Sequence, residues 1–288
     1  MSGEFTLDTS PPSAATLAVA EQELRETPEV VSQALQELRE LLKNDDTIYF
    51  KDDDQTLIMY LRPCKFYAKS AYELMKRISE FKEKHKDILE NLLPEDEKVA
   101  FTEHNVVNVL KNRDHKGRRV LLVNVGGTWD PSKVSPTQLF RIFYIIHEVA
   151  VLEPETQING CVVIMDFDGL GMKQVKAFSP SFSLLLLSFI QDAMPLRLKE
   201  VHMVKQPFVF NIVWSVFKPF IRDKLKKRIH FHGSKMDSLH KFMEPSHLPK
   251  DYDGALPKLD YGGKDWYPEV DKYLDHIKTM NSFGKKKK

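Results

Sequence analysis

Cysteine is scarce: Cys64 and Cys161 are the only two in 288 residues. They lie far apart, with no CxxC or Cys/His ligand spacing. That pattern excludes a disulfide framework, offers no zinc site and fits a reducing compartment. No apolar run reaches the roughly 20 residues of a membrane-spanning helix; the most apolar stretch, Phe178 to Ile190, stops short. Met1 to Thr16 is polar and acidic, without the basic start and apolar run of a signal peptide, so a cytoplasmic location is expected. An excess of one charge is also missing. The 42 Lys and Arg nearly balance 41 Asp and Glu, which gives no general pull toward nucleic acid.

The common catalytic signatures are absent too. There is no GxSxG elbow, no GxxxxGK phosphate loop and no complete GxGxxG. Gly169-Leu170-Gly171 follows a strand but reads as a turn. Asp166 and Asp168 read as turn chemistry before Gly169. His230 and His232, one residue apart, share a strand face without a cysteine or acidic partner nearby in sequence. They read as ordinary strand histidines, and no metal, cofactor or enzymatic activity is expected.

What remains is a chain long enough for one large domain and a smaller one. Residues 1–17 contain Pro11-Pro12 and small residues and are expected to be a disordered lead-in. Residues 18–95 read as a helical domain without strand signal. Thr27-Pro28 opens a helix carrying Val31, Leu35, Leu38 and Leu42 at helical spacing. A short helix follows Asp53, and a longer one spans about Ala68 to Leu92.

Residues 96–255 change character. Arg119 to Val125 and Cys161 to Phe167 are β-branched apolar runs, with shorter candidates at Val201 to Val204 and Arg228 to Phe231. Ser135-Pro136-Thr137-Gln138 is a capping box that opens a helix. Ser179-Pro180 starts another, and Pro207 to Lys227 contains a third. Apolar strands alternating with helices predict an α/β fold with a mainly parallel sheet flanked by helices. Residues 256–288 read as a polar, irregular extension.

Three features carry functional weight. The helix from Ser179 has no polar face, because four consecutive leucines, Leu184 to Leu187, cover every direction around it. Such a helix is buried on all sides or exposes an apolar face for a purpose. Its neighbours are rich in aromatic and aliphatic bulk, enough for a tight core or for a ligand cavity with Tyr144 and His147 as polar points. Arg197, Lys199, Lys224 and Arg228 belong to a basic cluster. It suits a solvated helix end as well as an anionic membrane surface. Residue chemistry leaves both choices open.

The order of several motifs resembles the CRAL-TRIO (Sec14-like) family, in particular the animal branch of tocopherol and retinaldehyde carriers, from about residue 25 to 255. The motifs are Tyr60-Leu61-Arg62-Pro63-Cys64-Lys65-Phe66, Asn159-Gly160 through Gly169, Lys218-Pro219-Phe220, Arg228-Ile229-His230-Phe231-His232-Gly233 and Leu248 through Gly254. The resemblance implies a helical domain beside a lipid-binding bowl, gated by the apolar helix from Ser179. It implies a lining of Phe140, Phe143, Tyr144, His147, Cys161, Met165, Leu170, Phe178, Leu186, Phe189, Ile190, Leu196 and Leu198. It further implies phosphoinositide contact at Arg197, Lys199, Lys224 and Arg228.

Phe143 and His147 stand where the tocopherol branch has serines, and Leu170 stands where it has a tryptophan, so the pocket differs from that branch. The implied function is an intracellular carrier of one hydrophobic molecule, such as a tocopherol, retinoid or carotenoid, exchanged by transient contact with membranes. The alternatives are a phosphatidylinositol or phospholipid transfer protein and a cargo-free membrane-sensing scaffold.

Overall fold

A computed structural model describes residues 5–286. The N-terminal part is helical, as its periodicity predicts. Thr27 Oγ1 accepts from the Val30 amide at 3.3 Å and starts the helix Pro28–Lys43, which buries Ala34, Leu35 and Leu38 against the helix Ala68–Lys84. That second helix was expected to reach Leu92. It ends at His85, which leaves the helical region (φ −113°, ψ 33°) while its ring lies against Phe81 at 4.6 Å.

The strands are β1 (Ile48–Tyr49), β2 (Val107–Val109), β3 (Arg119–Asn124), β4 (Cys161–Asp166), β5 (Leu198–Val204), β6 (Ile229–Phe231) and β7 (Gly284–Lys285). β1 is too short to leave a pattern in sequence, and it pairs antiparallel with β7. The main sheet has the order β2-β3-β4-β5-β6. β2 is antiparallel to β3, and the other pairings are parallel. The α/β class and mainly parallel sheet follow the sequence reading, with β2 as the added antiparallel edge.

Both sheet faces are covered, which explains the continuous apolar runs. Val120, Leu122, Val162, Ile164 and Val204 pack under Met236, Leu239, Leu248 and Tyr252. The opposite face carries Leu121, Val123, Val163 and Met165. A register shift beside Cys161 and Val162 breaks the two-residue alternation of β5. Leu198 and Val201 therefore point to the same side although they are three residues apart. Gly160 precedes β4 with φ +83°, and a Cβ there would fall 2.3 Å from the Arg197 carbonyl oxygen. Only glycine fits that approach.

Two terminal expectations need correction. From residue 5 onward the lead-in is packed, while residues 1–4 lie outside the described residues. Phe5 is buried. The Leu7 amide donates to Glu269 at 2.9 Å and the Asp8 amide to Glu153 at 3.1 Å, and a helix spans Ala14–Leu24. Composition gave no hint of these partners, because the accepting carboxylates lie more than a hundred residues away.

The tail is not irregular either. It forms helices Gly263–Asp271 and Leu274–Ser282. Trp266, Val270, Ile277 and Met280 are buried at helical spacings, and Trp266 Nε1 donates to Asn108 Oδ1 at 3.0 Å.

Candidate functional site

One face of the sheet forms the floor of a cavity. The helix Pro136–Ala150 forms a wall, because Phe140, Phe143, His147 and Ala150 recur every three or four residues along it. Ser135 and Gln138 cap its start reciprocally, at 3.2 and 3.1 Å. The leucine-rich helix Pro180–Ser188 and the wider turn Phe189–Ala193 supply the cover. Phe182, Leu186 and Ile190, each four residues apart, face inward. Leu185 and Leu187 are buried elsewhere, and Leu184 is exposed.

The cavity volume is about 160 Å³. A single buried water needs roughly 10–15 Å³ on that measure, so this is far more than a packing defect. The lining is almost wholly apolar. At one end Arg119 and Glu153 form an ion pair, with Arg119 Nε donating to Glu153 Oε2 at 3.0 Å. Thr156 Oγ1 donates to the same oxygen at 2.6 Å. These groups satisfy one another and leave no net charge toward the void. Phe5, Leu7, Trp266 and Val270 line it too.

Of the expected lining residues, Phe140, Phe143, His147, Cys161, Met165, Phe178, Leu186, Ile190, Leu196 and Leu198 face this cavity. Tyr144, Leu170 and Phe189 are buried but do not. Tyr144 and Phe189 pack together at 5.2 Å, and Phe189 reaches Phe81 at 5.5 Å, so their rings join the wall to the helical domain. Leu170 is held in the turn after β4, its amide donating to the Phe167 carbonyl at 3.0 Å. Sequence reasoning missed the terminal contributions and β2. The 266/270 spacing was a usable signal for the former; a three-residue strand with Asn108 at its centre gave none for the latter.

Burial sets the chemistry. It pushes the His147 imidazole down to about 3 and the Cys161 thiol up to about 12, so at neutral pH the first is uncharged and the second is no nucleophile. Cys64 is also pushed up, to about 11, by burial. His202, His230 and His232 cluster on the far face of the sheet, with His202 Nδ1 and His232 Nε2 at 3.0 Å. Among the described residues no group of three or more His, Cys, Asp or Glu is placed to hold a metal ion.

None of Arg197, Lys199, Lys224 and Arg228 lines the cavity. Arg197 and Lys199 both reach Glu23 of the Ala14–Leu24 helix, the lysine at 3.2 Å. The Arg197 guanidinium holds the Glu23 carboxyl below its usual range, although burial opposes this. Arg228 donates to the Leu198 carbonyl and is half-buried. Lys224 is exposed on the turn of helix Asp223–Lys226 just before it. Among the described residues no helix is long and apolar enough to cross a membrane.

The fold is thus an α/β bowl covered by an apolar helix, over a largely apolar cavity whose two charged lining residues pair with each other. Residues 103–254 match the family model of the CRAL/TRIO domain. The chain is 34% identical over 250 residues to clavesin-1 of Rattus norvegicus, covering 86% of this chain and 70% of that one. It is 31% identical over 249 residues to clavesin-2 of Homo sapiens, covering 86% and 76%. The crystal structure of Sfh5 aligns with a TM-score of 0.42 at 12% identity, covering 88% of this chain and 91% of that one. This chain belongs to the CRAL/TRIO family of lipid-binding transfer proteins. The family model and the clavesin matches establish the family without assigning the tocopherol or retinaldehyde branch.

Proposed function

We propose that the protein is a cytoplasmic, non-enzymatic carrier that encloses one uncharged hydrophobic molecule and exchanges it at membranes. The apolar cavity beneath the leucine-rich helix carries this reading. Its charged lining residues, Arg119 and Glu153, neutralise each other, so no cation is left inside for a phospholipid headgroup. Burial of a ligand's apolar surface, at about 25 cal/mol per Å², supports micromolar or tighter binding in a preformed pocket. Organic extraction of the purified chain followed by mass spectrometry tests the idea. One uncharged hydrophobic compound near equimolar amount is expected. Equimolar phospholipid would transfer the reading to phospholipid exchange, and a chain that holds no cargo and takes up no hydrophobic probe would leave a scaffold.

The exchange surface is proposed around the cover. Phe208 is 91% exposed, and Leu184 and Ile212 on the adjoining helices are 45% and 47% exposed. Large apolar side chains in water gain roughly 1.5–3 kcal/mol each when buried. The double variant Phe208→Ser/Ile212→Ser should therefore lose at least about tenfold in affinity for neutral lipid vesicles, measured by flotation, with cargo retained. Unchanged flotation would rule out this face.

The basic patch is the proposed phosphoinositide contact. Two of its cations are held by Glu23, so an anionic headgroup has to displace that carboxylate. Each surface cation contributes about 1 kcal/mol at an anionic membrane. Reversing Lys199 and Lys224 to Glu should weaken binding to phosphoinositide vesicles by more than about tenfold, whereas Glu23→Gln should strengthen it. Equal binding by all three proteins in vesicle sedimentation would remove the patch from the mechanism.

A further inference from the structure

The end of the cavity at Arg119 is closed differently from its floor and wall. Arg119, Leu121, Val123 and Val125 line one continuous floor, about 20 Å long at roughly 3.3 Å per residue. That floor and the helix Pro136–Ala150 lie within residues 103–254, the part matched by the CRAL/TRIO family model. Phe5 and Leu7 line the same cavity from outside that part. The Arg119 guanidinium sits over the Phe5 ring, 5.6 Å from its centre, so the ring lays hydrocarbon over the charged end. Phe5 itself is 7% exposed. Residues 5–8 form neither helix nor strand. They are held by the Leu7 amide on Glu269 at 2.9 Å and by the Asp8 amide on Glu153 at 3.1 Å. Neither tie uses the Phe5 side chain.

We propose that Phe5 is the end stop of the cavity and sets the longest cargo that the protein encloses. This rests on the carrier reading and adds a length limit to it. An apolar chain gains about fourfold in affinity for each methylene it buries. The gain ends where the chain meets the Phe5 ring, because forcing further carbons into a filled site offsets their burial. The floor strands and the wall helix fix the cross-section, since their side chains also build the core between sheet and helices. A ring on a segment without regular structure can change size without disturbing them. Chain length and cross-section are therefore selected by separate parts of the molecule.

The test uses the full chain with diphenylhexatriene, a hydrocarbon whose fluorescence reports cavity occupancy, displaced by n-alkanes of increasing length. Taking the ratio of wild-type to variant affinity at each length cancels the different solubilities of the alkanes. Wild type should gain with each carbon up to a cut-off. Phe5→Ala should match wild type below that length within about twofold, then gain about fourfold per carbon over at least about two more. A lost phenyl ring leaves room for several methylenes, after which the variant should meet its own cut-off. Phe5→Leu should move the cut-off less, in the same direction, and it stands in for the alanine variant if that chain does not fold. An unmoved cut-off in the folded variants would overturn the end stop. So would a variant whose affinity climbs without limit, since that marks release of the whole segment. Wild-type uptake of diphenylhexatriene with no cut-off among the alkanes would overturn the stop alone. Failure of the wild-type chain to take up diphenylhexatriene would overturn the carrier reading and the stop with it.

Discussion

Glu153→Ala is expected to cost about 3–5 kcal/mol of folding stability, the range for removing one partner of a buried ion pair. Its carboxylate is 2% exposed and holds Arg119 and Arg113, the latter at 3.2 Å. It also accepts from Thr156 Oγ1 at 2.6 Å and from the Asp8 amide at 3.1 Å. Removal leaves two guanidinium groups short of their counter-charge beside an apolar cavity, and it releases the segment that carries Phe5 and Leu7. Urea denaturation followed by circular dichroism measures the loss. A change below about 1 kcal/mol would show that water replaces the carboxylate without cost. The same variant should become more sensitive to proteolysis near residue 8, because the Asp8 bond ties that segment to the body.

Stability should also fall as the pH rises from 4.5 to about 7, because of Glu148. Its carboxyl is buried, which raises it from 4.5 to about 7 against the opposing pull of Lys82 and Tyr144. The folded chain therefore holds this proton more tightly than the unfolded chain does. The stabilising contribution is complete below pH 4.5 and is lost as the pH rises through about 7. The size is about 3 kcal/mol at 1.36 kcal/mol per unit. Glu148→Gln cannot titrate, so its stability relative to wild type should improve by about that amount between pH 4.5 and pH 8. His147 acts in the other direction. Its lowered value makes stability fall as pH drops below 6.5 toward about 3, and this is common to both proteins and cancels in the difference. Parallel stability curves for the two chains across that range would show that Glu148 does not titrate there.

The arrangement of the bowl was legible where residue chemistry acts locally. β3 and β4 were readable because a strand buried on both faces is apolar at every position, as in Val120 to Val123 and Val162 to Met165. Helix starts at Thr27, Ser135 and Ser179 were readable because each cap lies within three residues of the amide it binds. β2 was not readable, since its identity depends on pairing with β3 and on Asn108 bonding Trp266. The strand register shift that turns both Leu198 and Val201 inward was equally invisible, because it arises between β4 and β5.

The candidate site divides along the same line. The sequence by itself determined the residues: a helix too apolar to have a solvent face, aromatic helices beside it, cations at four positions and a histidine among hydrophobic neighbours. Motif order added the family. Only the tertiary structure decided that Leu186 faces the void while Leu184 faces solvent, because four leucines in a row carry no phase of their own. It also decided that Glu23 meets Arg197 and Lys199 and that the two chain ends help close the cavity. Those are contacts between segments more than a hundred residues apart. They depend on packing geometry and partner position, which neither composition nor periodicity encodes.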